Sequence, residues 1–226
     1  MNAKQAAAEK AITFVQSGMV VGLGTGSTAY WAIEGIGRRI KEEGLQIRSI
    51  ATSKRSEDQA KSLGIPLVSF SAIDAIDITI DGADETDENL NLIKGGGGAL
   101  LREKIVASNS RQLIIVVDES KLVKYLGKFP LPVEVVVFGW EKTIQKLKDL
   151  GCSPSLRMDN DHPYHTDNNN YIIDCSFGKI EHPPDLHQQI NSITGVVENG
   201  LFIRLATKLV VGNEQGNARV FPGIAD

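Results

Sequence analysis

The sequence predicts an α/β protein, with a Rossmann-like, mostly parallel sheet domain followed by a smaller ferredoxin-like α+β domain. Three observations carry that expectation. From Met19 to Asp118 short apolar runs of strand length alternate with segments of helical period, as in a parallel sheet. A proline-punctuated junction, Phe129-Pro130-Leu131-Pro132, then interrupts the pattern. Beyond it the order becomes strand, helix, two strands, helix, strand, which is the split βαβ arrangement.

Each element has its own signal. Ala7, Ala11, Phe14 and Val15 recur at helical spacing until Gly18 stops the pattern, and Met19 to Leu23 reads as a short buried strand. A glycine-rich turn follows at once. Thr28 to Glu43 is helical in pattern and Ile47 to Ala51 strand-like. Ser53 can cap a helix ending at Gly64, and Leu67 to Phe70 reads as another strand. Ile76 to Ile80 runs into Asp81, Ala99 to Ser108 is helical, and Leu113 to Val117 is an unbroken apolar strand ending at Asp118. Polar groups therefore collect at strand ends.

After the junction, Val133 to Phe138 is expected as a strand and Glu141 to Leu150 as a helix closed by Gly151. Leu156 to Met158 and Tyr171 to Phe177 read as strands around a polar turn, Asp185 to Ile193 as a helix, and Val196 to Ile203 as a last strand. The tail, Leu209 to Phe221, is expected to return to the first domain as edge strands. The domains should then cover residues 1–127 plus 204–226, and 128–203.

Composition narrows the classes of function. A chain of 226 residues, 42% hydrophobic and 23% charged, can bury a core without staples and has neither a disordered nor a fibrous bias. The net charge of −4 and the lack of a dense basic run argue against nucleic acid or a membrane surface as partner. An anionic ligand must be met locally. The stretch from Met1 to Lys4 leads into alanine-rich sequence without the apolar core of a signal peptide, and no apolar run is long enough to span a bilayer, so the cytoplasm is expected. Cys152 and Cys175 have no metal or redox spacing and read as buried or idle thiols.

Three loops carry the chemistry. Gly22-Leu23-Gly24-Thr25-Gly26-Ser27-Thr28 lies between a strand and a helix, where backbone N–H groups and the positive helix end attract a phosphate. The dinucleotide pattern Gly-x-Gly-x-x-Gly fails because Ser27 takes the third glycine's place, and the tight cluster suits one phosphate better. The plain alternative is a tight turn that uses glycine on backbone grounds alone.

In Asp81-Gly82-Ala83-Asp84-Glu85 the first and second aspartates follow a strand and can point into one crevice, where carboxylates that share a site supply a proton donor and an acceptor. The plain alternative is an Asx-turn, with Glu85, Asp87 and Glu88 forming a solvated acidic loop. The third loop begins at Lys94, which can stabilise a developing oxyanion, and continues through Gly95, Gly96, Gly97 and Gly98, whose N–H groups can form an anion-accepting nest. Glu103 follows in an apolar helical stretch, where burial suits a base; as an isolated residue it would be an ordinary surface acid. Lys4 and Lys121 can each neutralise a phosphate. Asp159, Asp161, His162, His165 and Asp167 lack regular ligand spacing and read as a polar hairpin turn, so no metal site is expected.

Set in order, the Gly22–Thr28 loop, the Asp81–Glu85 segment, Lys94-Gly-Gly-Gly-Gly-Ala-Leu-Leu-Arg-Glu-Lys-Ile105, Ser120-Lys121 and Gly127–Val135 closely resemble ribose-5-phosphate isomerase, type A. The resemblance covers nearly the whole chain and is weakest from Leu156 to Asn170. It implies reversible conversion of D-ribose 5-phosphate to D-ribulose 5-phosphate in the pentose phosphate pathway, without metal or organic cofactor, by a homodimer or homotetramer. Glu103 would be the carbon base, Asp81 and Asp84 would open the ring and shuttle oxygen protons, and Lys94 would steady the enediolate. Thr25, Gly26, Ser27, Thr28, Lys4 and Lys121 would hold the phosphate, and Gly82, Ala83 and Gly95–Gly97 would line the sugar. Two competitors remain at this point: a sugar-phosphate sensor, which would need a DNA-binding module that is not evident before Gly22, and a relative of acyl-CoA transferases with a glutamate nucleophile.

Overall fold

The computed structural model describes residues 2–223. In chain order the elements begin α1 (Ala3–Ile12), β1 (Val20–Leu23), α2 (Ser27–Glu43), β2 (Arg48–Ala51), α3 (Lys54–Ser62) and β3 (Ile78–Asp81). Then come β4 (Glu85–Thr86), β5 (Leu92–Ile93), α4 (Leu100–Ser108), β6 (Leu113–Asp118), β7 (Leu131–Val135) and α5 (Trp140–Lys148). The rest are β8 (Ser153–Leu156), β9 (Met158–Asp159), β10 (His162–Pro163), β11 (Tyr171–Ser176), α6 (Pro183–Asn191), β12 (Val196–Asn199), β13 (Leu201–Phe202), β14 (Lys208–Gly212) and β15 (Ala218–Pro222).

Two compact units divide the chain. Of the described residues, the first comprises 2–83, 102–122 and 204–223. Its sheet has the order β15-β14-β6-β3-β1-β2, parallel throughout except for antiparallel β15 at the edge. Strands of such a sheet are buried on both faces, and β1, β3 and β14 accordingly contribute Val21, Leu23, Ile78, Ile80 and Val210 to one core. The helices close on local signals: Asn2 accepts from the Gln5 N–H at 2.8 Å and Ser53 from the Ser56 N–H at 3.1 Å, while Gly44 ends α2 in the left-handed region.

The second unit comprises residues 84–101 and 123–203. Its four-stranded antiparallel sheet, β12-β7-β11-β8, has the strand order of a split βαβ unit. Leu131, Val133, Ile173, Leu147 and Ile190 form its core together with Cys152 and Cys175. Both thiols are buried, Cys152 Sγ donating to the Leu147 carbonyl at 3.3 Å and Cys175 Sγ lying 4.0 Å from the Ile173 carbonyl oxygen. A small sheet, β13-β5-β4, completes the unit.

That small sheet alters the expected division. Residues 84–101 were assigned to the first domain by the sequence, but β5 pairs with β13 and β4 with β5, which binds the segment into the second unit. Residues 1 and 224–226 of the expected first domain lie outside the described residues.

Four strands also differ from expectation, one of them Leu156–Met158, which is divided between the end of β8 at Leu156 and the start of β9 at Met158, in two different sheets. Leu67–Phe70 reduces to a single bridge from Leu67 to Ser49, in which the Ser49 N–H donates to the Pro66 carbonyl and the Val68 N–H to the Ser49 carbonyl, both at 2.9 Å; the ladder stops there because the chain turns into a 3₁₀ turn at Phe70–Ala72. The run expected at Val133–Phe138 is displaced to Leu131–Val135, where the partner β11 begins opposite Val135, and Phe138 is left 94% exposed. Val196–Ile203 is two strands in two sheets. They part at Gly200, where an added Cβ would lie 2.3 Å from the Lys94 carbonyl oxygen.

Candidate active site

In the first unit the glycine loop is shaped from below by close packing. A Cβ on Gly22 would lie 1.9 Å from Thr79 Oγ1, and one on Gly24 would lie 2.3 Å from Asp81 Oδ1, so neither position accepts a side chain. Asp81 is buried, and its Oδ1 accepts hydrogen bonds from the N–H groups of Thr25 at 2.9 Å and Gly82 at 2.8 Å. The aspartate at the end of β3 thus fixes the loop that follows β1. Ala83 follows Gly82, half-buried.

The Thr25 hydroxyl faces inward. It lies 2.7 Å from Thr52 Oγ1 and 2.8 Å from Ser53 Oγ, while Ser56 Oγ donates to the Gly24 carbonyl at 2.6 Å. With both its N–H and its hydroxyl engaged inside the protein, Thr25 holds the loop in shape instead of presenting a donor. Sequence reasoning missed Thr52, Ser53 and Ser56; the capping pattern at Ser53 was the available signal.

Gly26, at φ +109°, begins α2 without a side-chain cap, so the helix N–H groups behind Ser27 and Thr28 are held by backbone geometry alone. An added Cβ at Gly26 would meet nothing within 4 Å, and Lys4 Nζ donates to Ser27 Oγ at 2.8 Å. A positive helix end, an exposed hydroxyl and an ammonium group therefore converge on one point, which is what a phosphate requires. A cavity of about 580 Å³ that Lys4 also lines does not meet that requirement, since Asp118, Glu119 and Glu214 line it too. Lys121 lies half-buried at the end of the 3₁₀ turn after β6, capped by Asp118, which accepts from the Ser120 N–H at 3.0 Å. Glu103, on α4, is only 4% exposed, the burial that a base in an apolar stretch was expected to have.

The second unit holds Asp84, Lys94 and the glycine run. The Asp84 N–H donates to the Ile93 carbonyl at 2.8 Å, and Asp84 Oδ2 accepts from the Gly96 N–H at 2.8 Å. Lys94 is buried, its N–H donates to the Gly200 carbonyl at 2.9 Å, and its ammonium lies 5.4 Å from the centre of the Phe202 ring. Gly95 and Gly98 both take positive φ, +103° and +80°, and a Cβ on Gly98 would lie 2.1 Å from the Tyr164 hydroxyl. Gly96 and Gly97 are exposed. The run is therefore a shaped loop anchored at both ends with its middle open.

The acidic loop is not solvated as the plain reading had it. Glu85 is buried and accepts from the N–H groups of Gly127 at 2.7 Å and Phe129 at 2.6 Å, and Asp87 accepts from the N–H groups of Asn89 and Asn91. Only Glu88 of the three faces solvent. The residues from Met158 to Pro163 form the short β9–β10 hairpin, with His165 and Asp167 beyond it, and among the described residues no three His, Cys, Asp or Glu side chains gather as a metal-binding group.

Comparison with known proteins decides the family. The model of the family "Ribose 5-phosphate isomerase A (phosphoriboisomerase A)" matches residues 48–216, a stretch that includes Asp81, Asp84, Lys94, Glu103 and Lys121. The chain belongs to the ribose 5-phosphate isomerase A family. The ribose-5-phosphate isomerase A of Bacillus mycoides (strain KBAB4) is 55% identical over 217 residues, covering 96% of this chain and 98% of the relative. Among solved structures, ribose 5-phosphate isomerase A from Methanocaldococcus jannaschii aligns with a TM-score of 0.92 at 43% identity, covering 97% of each chain. A D-ribose-5-phosphate isomerase in complex with phospho-erythronic acid aligns with a TM-score of 0.94 at 40% identity, covering 98% of this chain and all of that one. This family is an enzyme family, which removes the sensor and the transferase readings.

Proposed function

We infer that the protein is an aldose–ketose isomerase that interconverts D-ribose 5-phosphate and D-ribulose 5-phosphate in the non-oxidative branch of the pentose phosphate pathway. The observation that carries the reading is the family match across the acids, the lysines and the glycine run in one stretch. The related enzyme that binds phospho-erythronic acid supports it further. That ligand is a phosphorylated sugar acid whose planar carboxylate resembles the planar oxygens of an enediolate.

Moving a proton between C2 and C1 through an enediolate needs a carbon base, groups that exchange protons with oxygen, and a positive group for the charge that develops. We assign the carbon base to the buried Glu103, the oxygen protons to Asp81 and Asp84, and charge stabilisation to Lys94 with the N–H groups of Gly95, Gly96 and Gly97. Gly26, Ser27, Thr28, Lys4 and Lys121 bind the phosphate; Thr25 supports that loop from inside, and Gly82 and Ala83 leave room for the sugar. A ketose-formation assay on ribose 5-phosphate tests the activity, and no turnover by the folded protein would overturn it.

We propose further that the chain works as a homodimer or homotetramer in the cytoplasm, without a metal. Among the described residues no helix is long and apolar enough to cross a membrane. Light scattering during size-exclusion chromatography tests the assembly; a monomeric mass with full activity would contradict it.

A further inference from the structure

Arg157, in the stretch expected to resemble the family least, makes four hydrogen bonds that tie the glycine run to Asp174. Its Nε donates to Asp174 Oδ2 at 2.9 Å and its Nη2 to Asp174 Oδ1 at 2.5 Å, a bidentate pair that fixes the guanidinium plane. The remaining Nη1 donates to the carbonyl oxygens of Gly95 at 2.9 Å and Gly96 at 3.2 Å. The Arg157 side chain is 16% exposed and its Asp174 partner 22%. Tyr164 covers it, with the Tyr164 N–H donating to the Arg157 carbonyl at 2.9 Å and the guanidinium carbon 5.9 Å from the ring centre.

Peptide planarity turns this clamp into a statement about chemistry. In a trans peptide the C=O and the following N–H point in opposite directions. None of the described peptide bonds is cis, so two carbonyls held toward Arg157 direct the N–H groups of Gly96 and Gly97 to the far side. There the Gly96 N–H meets Asp84 Oδ2 at 2.8 Å. We propose that Arg157, held by Asp174, is a positioning residue of the isomerase: it orients the peptides of the glycine run so that the Gly96 N–H fixes the Asp84 carboxylate. This rests on the assignment of Asp84 and the glycine run given above. Lysine cannot replace the arginine, because one ammonium cannot span a carboxylate and two carbonyls in a plane.

The test compares kcat, KM and thermal midpoint for Arg157→Met, Arg157→Lys, Asp84→Asn and the double variant Asp84→Asn/Arg157→Met. Arg157→Met should lower kcat by at least about tenfold through loosened geometry, with KM changed less. Arg157→Lys should recover only part of the loss. In the Asp84→Asn background the arginine substitution should cost little more, because both changes break one chain of contacts. A full kcat in folded Arg157→Met overturns the proposal, as do losses that multiply independently in the double variant. If Arg157→Met does not fold, Asp174→Asn takes its place, and full activity there is equally damaging. Asp84→Asn alone separates the two layers: full activity there removes the role given to Asp84, whereas a slow Asp84→Asn beside a normal Arg157→Met removes only the positioning role.

Discussion

Gly96→Ala isolates the Asp84 carboxylate with a single methyl group. Gly96 lies outside the left-handed region, so alanine meets no backbone penalty of the kind that Gly95 or Gly98 would impose. The new Cβ would lie 2.6 Å from Asp84 Oδ1 and 3.0 Å from Oδ2. Ordinary contact begins near 3.4 Å, so the carboxylate must retreat by about 0.8 Å, and it lengthens or loses its 2.8 Å bond from the Gly96 N–H. A hydrogen bond to a charged group contributes about 1.5–3 kcal/mol. A displacement of about 1 Å at a reacting group costs on the order of 10²-fold in rate. The expected result is a kcat reduced by roughly 10²-fold, with stability lowered by no more than about 1–3 kcal/mol, the weakened hydrogen bond being partly offset by the backbone entropy that alanine saves. Ketose formation from ribose 5-phosphate and a urea titration measure the two quantities. A kcat within about twofold of the parent refutes the assignment of Asp84, since the geometry leaves the carboxylate no way to stay in place.

Four further outcomes can be checked. Glu103→Gln should lower kcat by about 10²–10⁴-fold in a protein with an unchanged circular dichroism spectrum, and near-normal turnover would remove Glu103 as the base. Lys4→Ala and Lys121→Ala should raise KM far more than they lower kcat, so an unchanged KM argues against that lysine's contact with phosphate. Activity should survive dialysis against EDTA; loss reversed by a divalent ion contradicts a mechanism run by side chains alone. Glu85→Gln, which replaces one of two carboxylate acceptors with an amide donor, should cost about 1–3 kcal/mol of stability by urea denaturation, and no change would mean that the Gly127 and Phe129 N–H groups find other acceptors.

The alternating pattern of the first unit was legible because a parallel sheet writes continuous apolar runs: Leu113–Val117 could hardly be anything else. The split βαβ order was legible where a strand was long enough to show its own period, as at Tyr171–Ser176, whereas β8, with Ser153, Pro154 and Ser155 ahead of Leu156, carries almost no apolar signal and was expected from Leu156 onward. Two-residue strands show none, so β4, β5 and β13 left no trace in the sequence, and residues 84–101 went to the other unit. Phe138 misled because an apolar run does not reveal where its partner strand stops. Among site residues, glycines and acids were readable because their types are expensive to keep without a purpose. Thr25 was read as a ligand donor, but its hydroxyl turned inward toward Thr52 and Ser53, partners nearly thirty residues away that no local pattern announces. Arg157 was invisible for the same reason, its meaning lying in carbonyls 62 and 61 positions earlier.

The order of strands in the first sheet also bears on how the chain is made. β14, from Lys208 to Gly212, lies between β6 and β15, and its parallel register runs from Lys208 opposite Ile114 to Gly212 opposite Asp118. During synthesis β6 emerges with one edge already matched by β3 and the other waiting for a strand some ninety residues downstream. At about 5–20 residues per second that edge stays open for several seconds. From Leu113 to Val117 it is an apolar edge of the sort that recruits other chains. A message broken between Asp118 and Lys208 would therefore yield a product prone to clump rather than a smaller working enzyme, and a nascent chain needs shielding until β14 arrives to close the gap.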